Sequence, residues 1–366
     1  MKILFAGGGT AGHINPALSI ADYMKKREKD FSALFIGTKR GLETELVPRA
    51  GYEIRYIDIR GFDRRNPFAN IEVVKKLITA RADCERIIKE FRPDAVVCTG
   101  GYVSGPAAMA AKKCGVPSLI HEQNVYPGMT VRGAQRYVDY VAVSFAETVR
   151  HLSKKSKCVV TGNPVREEIL TADREKCREK LGIGADERLV LIFGGSLGAA
   201  RLNSAVCEML PRLCGNPKIR VLFGTGTRNY KDVCAALGNV GANVTLTPYI
   251  NNMAEVMAAS DVAVTRAGAI TVSELACMHK PAVLVPSPNV VRNHQEQNAH
   301  EFEKAGAAIM LKEVDLSGES LYNAVMGLAS DDAALAKMAE RMGNFAERSA
   351  LEKTARLIYT MTGAGK

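Results

Sequence analysis

Short apolar runs alternate with helix-like stretches along nearly the whole chain. Several of these runs are continuously apolar rather than alternating, such as KILFA at 2–6 and RLVLIF at 188–193. Such runs are typical of strands covered on both faces, as in a parallel sheet between two helix layers. The predicted strands lie at 2–6, 32–36, 53–59, 94–99, 117–121, 139–144, 157–161, 188–193, 219–223, 243–247, 261–265, 282–285 and 307–311.

The two halves of the chain repeat one plan. Each opens with a buried strand that runs into glycines, ILFAGGGTAGH at 3–13 and VLIFGGSLGAA at 190–200, and then into a helical pattern. We therefore predict an α/β protein of two Rossmann-like, doubly wound domains, 1–163 and 164–348. A helix at about 349–366 has no strand after it, and we expect it to pack back on the first domain.

The sequence predicts where two helices of the first half begin and which side chains of the second face the core. The sequence predicts Asn15 as the N-cap of the first helix and Pro16 as its first residue, where no amide hydrogen is needed. A second helix, predicted at 67–91, opens at Pro67 and has a core stripe at helical spacing. The stripe is formed by Val73, Leu77, Ala80, Cys84, Ile87 and Phe91.

Composition agrees with two globular domains. The chain has 366 residues, of which 47% are hydrophobic and 24% charged, so a disordered or fibrous chain is excluded. No run of about 18 apolar residues occurs, and none is therefore predicted to span a bilayer. The nine cysteines are scattered without a C-x-x-C pair, and the first apolar run is too short for a signal peptide. We expect reduced thiols and a cytoplasmic amino terminus.

The positive charge is confined to the first half. Residues 1–165 contain 26 Lys and Arg against 16 Asp and Glu, whereas residues 166–366 contain 23 of each sign. The first half therefore carries the whole net charge of +10. A nucleic acid, a phosphorylated substrate or an acidic membrane would each suit such a surface, and composition does not choose among them.

The first glycine loop suggests a ligand site. Gly7, Gly9 and Gly12 match the dinucleotide pattern G-x-G-x-x-G between a strand and a helix. The acidic residue expected after the second strand is missing, and basic residues stand there instead, which leaves an NADP-dependent dehydrogenase as an alternative. His13 follows the glycines, and a neutral imidazole there could serve as a general base or only shape the loop.

Other polar loops end strands of both halves. The second glycine loop, 194–199, presents backbone amides and Ser196 at a helix start, which is either an anion site or a packing turn. Arg166 could close onto the same anion. Glu274 stands in the first turn of a later helix, where it either complements the helix dipole or accepts ribose hydroxyls. No D-x-D pair and no His/Cys cluster with metal-ligand spacing occurs, so we expect neither a metal nor a cofactor.

Six ordered motifs resemble one enzyme family. GGGTAGH, GGYVSGP, HEQN, GNPVR, GGSLGA and RAGAITVSE occur in the order and spacing of the bacterial MurG-type glycosyltransferases of peptidoglycan synthesis. The resemblance covers about residues 2–360 and implies the GT-B architecture, two Rossmann-like domains that face each other across a cleft. It implies inverting, metal-independent transfer of N-acetylglucosamine from UDP-GlcNAc to the 4-hydroxyl of MurNAc in lipid I. The product would be lipid II.

The resemblance also implies roles for single residues. His13 matches the proposed base, Asn124 a donor-sugar contact and Ile250 the uracil-recognising backbone position. Glu274 matches the acceptor of the ribose hydroxyls and Gln295 an amide that holds sugar hydroxyls. The other implied UDP-GlcNAc contacts are Thr10, Ala11, Gly12, Arg166, Ser196, Ala269, Ile270, Thr271, Val272 and Ser273, and Tyr102 and Ser104 are expected on the acceptor side.

A lipid-linked acceptor implies contact with the cytoplasmic membrane face. In the helix at 67–91, a second apolar face surrounds Lys75, and the nearby basic residues are Arg60, Arg64, Arg65, Lys76 and Arg81. The apolar residues of this face are Phe68, Ile71, Val74 and Ile78. An apolar patch with a basic rim suits an anionic bilayer surface, and packing on a neighbouring loop is the alternative. We therefore expect a peripheral membrane enzyme, with other cell-wall synthesis proteins as possible partners.

Two further alternatives are a UDP-sugar epimerase, which would share donor recognition without a lipid acceptor, and a basic RNA-binding protein. The second lacks an RNP or KH signature and would leave the polar strand ends without a use, so we expect no nucleic-acid partner.

Overall fold

The computed structural model describes residues 1–61, 69–195, 198–290 and 293–364, except for the side chains of residues 69–71. The chain divides into two compact units. Unit 1 comprises Met1–Val165 and Ser349–Lys366, and unit 2 comprises Arg166–Arg348. The expected fold class is confirmed, because each unit is a parallel sheet flanked by helices.

Within its described residues, unit 1 has a seven-stranded parallel sheet in the order β3-β2-β1-β4-β5-β6-β7. Its strands are β1 (Lys2–Gly7), β2 (Ser32–Gly37), β3 (Glu53–Tyr56), β4 (Ala95–Gly100), β5 (Ser118–Glu122), β6 (Tyr140–Val143) and β7 (Cys158–Val160). Its helices are α1 (Ala11–Lys25), α2 (Glu43–Arg49), α3 (Ala69–Phe91), α4 (Ser104–Cys114), α5 (Met129–Ala134) and α15 (Ala350–Thr362), with a 3₁₀ helix at Ala146–His151.

Unit 2 repeats this plan with a six-stranded parallel sheet, in the order β10-β9-β8-β11-β12-β13 for the part of the chain described. Its strands are β8 (Arg188–Phe193), β9 (Ile219–Gly224), β10 (Val244–Thr247), β11 (Val262–Thr265), β12 (Ala282–Leu284) and β13 (Ile309–Met310). Its helices are α6 (Glu167–Thr171), α7 (Arg174–Leu181), α8 (Ala200–Met209), α9 (Tyr230–Leu237), α10 (Met253–Ala259), α11 (Ala269–Cys277), α12 (His294–Lys304), α13 (Gly318–Ala329) and α14 (Asp332–Gly343), with a 3₁₀ helix at Leu210–Arg212.

Each predicted strand is present. The inner strands are continuously apolar and buried between helix layers, whereas the edge strand β3 is largely exposed. The central strands β1 and β4 pair in register, with Leu4 opposite Val96, and their side chains are fully buried. The predicted strand at 53–59 ends earlier, at Tyr56, where pairing with β2 stops. The carboxy-terminal helix α15 packs its Leu351 and Ile358 into the same core as the α1 side chains, and Tyr359 donates a 2.7 Å hydrogen bond to Glu28.

The prediction for the start of the first helix is wrong. Helix α1 begins at Ala11 with Thr10 as N-cap, so Asn15 is not a cap and Pro16 lies inside the helix. Proline lacks only one backbone donor, and in this second turn the loss is tolerated because the apolar face of α1 is buried against the sheet. The predicted start of the helix at 67–91 lies outside the described residues, and α3 is described from Ala69.

The strand orders locate the ligand-binding edge of each unit. The order reverses between β1 and β4 in unit 1 and between β8 and β11 in unit 2. In open α/β sheets, ligands bind outside the carboxyl ends of the strands at such a switch point. The loops that follow these four strands are the glycine loops and polar segments of the sequence.

Candidate active site

The first glycine loop joins β1 to α1 at the switch point of unit 1. A Cβ on Gly7 would lie 2.2 Å from Thr99 Oγ1, so the close approach of β1 and β4 requires a glycine there. Thr10 and Gly12 are exposed and Ala11 is half-buried at the start of α1. These three positions, which the sequence predicts to contact a donor, are therefore accessible.

His13 lies in the first turn of α1, and its ring is held at one nitrogen. Nδ1 lies 3.1 Å from the carbonyl oxygen of Gly8 and 3.3 Å from Thr10 Oγ1. A carbonyl oxygen can only accept, so the shorter contact assigns the proton to Nδ1 and the lone pair to Nε2. Burial lowers the pKa of His13 below its ordinary value, against opposing effects of the Gly8 carbonyl and the Glu43 carboxylate. The imidazole is therefore neutral near pH 7, as a general base must be.

Glu43 holds this loop from inside the unit, and the sequence analysis missed it. Its Oε2 accepts a 2.8 Å hydrogen bond from the Gly9 N–H. Its Oε1 accepts 2.9 Å hydrogen bonds from both the N–H and the hydroxyl of Thr38. A Cβ on Gly8, Gly37 or Gly41 would lie 2.7, 2.6 and 1.9 Å, respectively, from the nearest Glu43 side-chain atom. Three glycines thus enclose a fully buried carboxylate.

A pair of glycines after β4 packs directly on the first loop. Gly100 and Gly101 have φ values of +112° and +78°, in the region that favours glycine. A Cβ on Gly100 would lie 2.5 Å from His13 Cδ2, and one on Gly101 would lie 2.2 Å from the Gly8 carbonyl oxygen. The next residue, Tyr102, is 56% exposed, and its ring covers Gly61. The GGYVSGP motif thus lets this loop approach the imidazole.

The predicted acceptor contact of Ser104 is wrong. Ser104 is fully buried at the start of α4. Its Oγ accepts a 2.9 Å hydrogen bond from the Gly100 N–H and lies 2.8 Å from the carbonyl oxygens of Ala6 and Gly100. The hydroxyl therefore ties β1 to the β4 loop and has no surface for a ligand.

The HEQN segment ends β5 with a second buried carboxylate. Glu122 accepts hydrogen bonds from the Asn124 N–H (2.9 Å), the Asn124 side-chain amide (3.0 Å) and the Gly128 N–H (2.7 Å). These bonds fix the orientation of half-buried Asn124, and burial raises the pKa of Glu122. His121 is buried with Nε2 2.9 Å from the Gly162 carbonyl oxygen, and burial lowers its pKa to about 4. His121 is therefore a neutral structural residue.

In unit 2, the helix after β11 brings Glu274 together with Arg166. Arg166 Nε and Nη2 donate hydrogen bonds of 3.0 and 2.9 Å to Glu274 Oε1. Glu274 is buried, and burial raises its pKa while the Arg166 guanidinium opposes that shift. Among the described residues, Oε2 has no hydrogen-bond partner. The carboxylate is thus anchored through one oxygen and can accept a ligand hydroxyl through the other.

The predicted nucleotide loop, residues 269–274, forms the first six residues of α11, so Glu274 lies in the second turn and not, as predicted, in the first. Ile270, Thr271 and Ser273 are half-buried, and Ala269 is 7% exposed. Val272 is fully buried, and its N–H donates to the Gly268 carbonyl at 3.0 Å. The prediction that Val272 contacts the nucleotide is therefore wrong, because its place on the helix turns it into the core of unit 2.

The remaining predicted donor contacts have different surroundings. Ile250, which follows β10, is buried, and its Cδ1 would lie 2.9 Å from a Cβ on Gly224. Gln295, in the first turn of α12, accepts a 2.9 Å hydrogen bond from the Ser287 N–H through Oε1. That bond orients the side-chain amide group of Gln295. Ser196 lies outside the described residues.

The exposed face of α3 is less basic than the sequence suggests. Val74 and Ile78 are 46% and 63% exposed. Phe68 lies outside the described residues, as does the side chain of Ile71. Three of the expected rim cations pair with acids, as Arg60 with Glu72 (2.7 Å), Lys76 with Asp58 (2.7 Å) and Arg81 with Glu85 (2.9 Å). Lys75 is exposed and has no ion pair with a described residue.

Two kinds of feature are absent from the described residues. No helix there combines the length and the apolar character that crossing a bilayer requires. No group of three or more His, Cys, Asp or Glu side chains in the same part of the chain could hold a metal ion.

Known proteins resemble this chain over nearly its full length. A relative from Acetivibrio thermocellus is 45% identical over 98% of this chain and 97% of its own length. One from Ruminiclostridium cellulolyticum is 42% identical over 98% and 99%. Both are named UDP-N-acetylglucosamine--N-acetylmuramyl-(pentapeptide) pyrophosphoryl-undecaprenol N-acetylglucosamine transferase. The crystal structure of Acinetobacter baumannii MurG superposes with a TM-score of 0.80 and 29% identity, covering 98% of this chain and 99% of that one.

Family models match both units. The N-terminal domain of glycosyltransferase family 28 matches residues 3–143, and the C-terminal domain of that family matches residues 189–354. These matches agree with the two glycine loops and with the relatives' names, and they favour neither a dehydrogenase nor an epimerase nor an RNA-binding protein. The chain belongs to glycosyltransferase family 28.

Proposed function

We propose that this chain transfers N-acetylglucosamine from UDP-GlcNAc to the 4-hydroxyl of MurNAc in lipid I and so forms lipid II. The names of relatives at 42–45% identity support this substrate pair. The observation that carries the chemistry is His13, a neutral imidazole held at Nδ1 by the Gly8 carbonyl, with its lone pair on Nε2. It lies in a glycine loop at the carboxyl edge of the sheet, where an acceptor hydroxyl can be bound.

The proposed reaction is a single displacement. Nε2 of His13 takes the proton of the acceptor 4-hydroxyl as that oxygen attacks the anomeric carbon of N-acetylglucosamine. The bond from this carbon to the diphosphate oxygen breaks on the opposite face, and UDP leaves with the electron pair. Attack from the opposite face converts the α-linked donor into a β-1,4-linked product. We propose that the reaction needs no metal ion, and it should therefore proceed in EDTA.

Unit 2 is proposed to hold the nucleotide. The Oε2 atom of Glu274 can accept from the ribose hydroxyls, while Arg166 keeps the carboxylate in place through Oε1. Backbone amides at the start of α8, with Ser196, and the exposed part of Arg166 are proposed to meet the diphosphate charge. The other proposed donor contacts are Thr10, Ala11, Gly12, Asn124, Ile250, Ala269, Ile270, Thr271, Ser273 and Gln295.

A lipid-linked acceptor requires contact with a bilayer, and we propose that this contact is peripheral, at the cytoplasmic face. Exposed Val74 and Ile78 on α3, with Lys75 between them in sequence, form the proposed contact surface, and Lys75 has no ion pair with a described residue. Apolar side chains with an adjacent cation suit the boundary between acyl chains and anionic headgroups. Tyr102, exposed beside the His13 loop, is the proposed acceptor-side residue of unit 1.

The test is an incubation with labelled UDP-GlcNAc and a lipid I analogue, in EDTA. We expect label in the lipid product, with the β configuration, and a matched loss of UDP-GlcNAc. His13→Ala serves as the control that retains the donor site. Free labelled sugar, an isomerised nucleotide sugar or no reaction with the parent protein would each contradict the proposed function.

A further inference from the structure

The carboxylate of Glu43 and the imidazole of His13 bind opposite ends of one peptide group. Glu43 Oε2 accepts from the Gly9 N–H at 2.8 Å, and His13 Nδ1 lies 3.1 Å from the Gly8 carbonyl oxygen. The Gly8 C=O and the Gly9 N–H belong to the same planar unit, in which they point in opposite directions. The three groups therefore form a carboxylate–peptide–imidazole series.

We propose that Glu43 is a positioning residue for His13, acting through the Gly8–Gly9 peptide group to hold the imidazole as the Nδ1–H tautomer with Nε2 as the base. This inference rests on the proposed role of His13. In a Ser-His-Asp triad, a carboxylate bound directly to Nδ1–H fixes the tautomer and stabilises the imidazolium. Here the Gly8–Gly9 peptide group lies between the two side chains: Glu43 fixes its N–H, and its carbonyl then fixes the orientation of the imidazole.

The surroundings of Glu43 make this orientation rigid. The carboxylate is fully buried, and all three hydrogen bonds that it accepts come from the chain itself. The side chain of Glu43 fills the space that a Cβ on Gly8, Gly37 or Gly41 would take, so it packs directly against three stretches of backbone. An N–H that donates to a carboxylate polarises its amide, which makes the attached carbonyl a better acceptor for Nδ1–H.

Glu43 also acts on His13 through its charge. Glu43, from α2, is the charged side chain of the described residues that faces the imidazole. The other groups around the ring are uncharged, namely the hydroxyl of Thr10, the Gly8 carbonyl and the backbone of Gly100. A negative charge raises the pKa of a neighbouring imidazole, so Glu43 counteracts part of the effect of burial.

The same carboxylate explains why this glycine loop differs from a dinucleotide site. In such sites the amides of the loop bind a pyrophosphate. In this chain the Gly9 amide already donates to Glu43, so the protein supplies its own anion at that position. Glu43, at the start of α2, thus takes the place of a pyrophosphate at the Gly9 amide, and the ribose-binding acid of a dinucleotide site is missing from the end of β2.

The first experiment uses the unaltered protein. Two-dimensional ¹⁵N NMR of the imidazole rings distinguishes the two tautomers, and His13→Ala identifies the His13 signals among the six histidines. We expect His13 as the Nδ1–H tautomer at neutral pH. An Nε2–H tautomer would overturn the proposal, and this outcome does not depend on whether any variant folds.

The second experiment compares Glu43→Gln with Glu45→Gln, which removes the same charge from an exposed position of α2. Gln cannot accept at both ends, so either the Gly9 N–H or the Thr38 pair loses its acceptor. We expect kcat to fall by about 10- to 100-fold in Glu43→Gln, the cost of a misplaced catalytic group, with KM for UDP-GlcNAc within about threefold. The acid limb of the kcat profile and the NMR titration of His13 should both move to lower pH.

The Glu45→Gln variant should match the parent in all of these measurements. A Glu43→Gln protein with the parental His13 titration would show that the two side chains are not coupled and would overturn the proposal. So would a fall in kcat without a displaced NMR titration, because that is the result of general loosening. If His13→Ala keeps parental turnover, the proposed base is wrong, whereas the NMR titration still decides whether Glu43 positions the imidazole.

Discussion

Two buried carboxylates lie near the switch points of the two units, and they have opposite hydrogen-bonding states. Glu43 in unit 1 uses both oxygens within the chain, on the Gly9 N–H and on Thr38. Glu274 in unit 2 uses only Oε1, on Arg166, and within the described ranges Oε2 has no partner. Residue type and burial are the same in both, so neither property identifies which carboxylate awaits a ligand.

The difference lies in how each site is completed. A buried polar group that the chain fully satisfies contributes to the order of the fold, whereas one left half-satisfied costs stability until a ligand completes it. By this criterion unit 1 presents a rigid loop that positions a base, and unit 2 presents acceptors for a nucleotide. Variants of His13 and Glu43 should therefore change kcat, and variants of Glu274 should change nucleotide binding.

The largest expected effect is on turnover in unit 1. His13→Ala removes the proposed base and should lower kcat by roughly 10²–10⁴, the usual contribution of general acid–base catalysis. Binding of UDP-GlcNAc, measured by calorimetry, should stay within a few-fold of the parent. Near-normal turnover would mean that His13 only shapes the loop. A loss of UDP-GlcNAc binding in parallel with turnover would contradict the expectation that His13 affects kcat and not donor binding.

The next effect is on stability. Glu43→Ala removes a fully buried side chain and leaves the Gly9 N–H, the Thr38 N–H and the Thr38 hydroxyl without their acceptor, so the free energy of unfolding should fall by about 2–5 kcal/mol. Glu274→Gln keeps an oxygen for Arg166 and should leave the free energy of unfolding unchanged or raise it. Urea unfolding without nucleotide, followed by circular dichroism, measures both. Equal destabilisation by the two substitutions would contradict the comparison.

The pH dependence of stability tests the same contrast. Burial raises the pKa of Glu274, so between its unfolded and folded pKa values the folded protein binds more protons than the unfolded chain. Its contribution to the free energy of unfolding is therefore lost as pH rises through that window. Glu274→Gln should remove this part of the pH dependence. An identical pH profile in parent and variant would show that the pKa of Glu274 is not raised.

A smaller effect is expected on nucleotide binding in unit 2. If Glu274 accepts both ribose hydroxyls, Glu274→Ala should weaken UDP binding by about 1.5–3 kcal/mol, the range of charge-assisted hydrogen bonds. Discrimination between UDP and its deoxyribose analogue should shrink as well. Unchanged discrimination would mean that Glu274 only pairs with Arg166 and does not contact the ribose. The Glu45→Gln variant is the matched control, with an unaltered unit 2.

The sequence predicts most of the fold because continuous apolar runs and glycine turns mark the strands of a buried parallel sheet. It also singles out Glu274, although the expected position in the first turn of a helix is wrong, because α11 begins at Ala269 and Glu274 lies in its second turn. The start of α1 was mispredicted because Asn15-Pro16 resembles a cap, whereas the loop geometry extends the helix back to Ala11. A pattern of single residues does not show how far a loop tightens before its helix begins.

Glu43 and Ser104 show which features of the candidate site the sequence does not predict. The dinucleotide pattern draws attention to the end of β2, where Lys39 and Arg40 stand in place of a ribose-binding acid, but no pattern predicts that Glu43 of α2 binds the first loop. The flanking Gly37 and Gly41 were a usable signal, because glycines near a carboxylate suggest close backbone approach. Ser104 illustrates the opposite case, because a hydroxyl in a polar loop suggests an accessible group, whereas the Ser104 side chain is buried. Whether a polar side chain forms its hydrogen bonds within the protein depends on the three-dimensional structure, so a sequence pattern does not reveal it.

The smallest expected effect applies the same distinction to cations. On α3, Arg81 is paired with Glu85, whereas Lys75 has no ion pair within the described ranges and lies beside exposed Val74 and Ile78. A pair carries no net charge toward a membrane, so deleting Arg81 and Glu85 together, each to Ala, should leave binding to anionic vesicles unchanged. Lys75→Ala should weaken that binding about fivefold in low salt, the contribution of one basic residue near an anionic surface. Vesicle co-sedimentation measures both, and binding of UDP-GlcNAc should match the parent in each variant. If Lys75→Ala binds vesicles as the parent does, or the double variant loses binding, the proposed membrane surface is wrong and the excess charge of the first half has another partner.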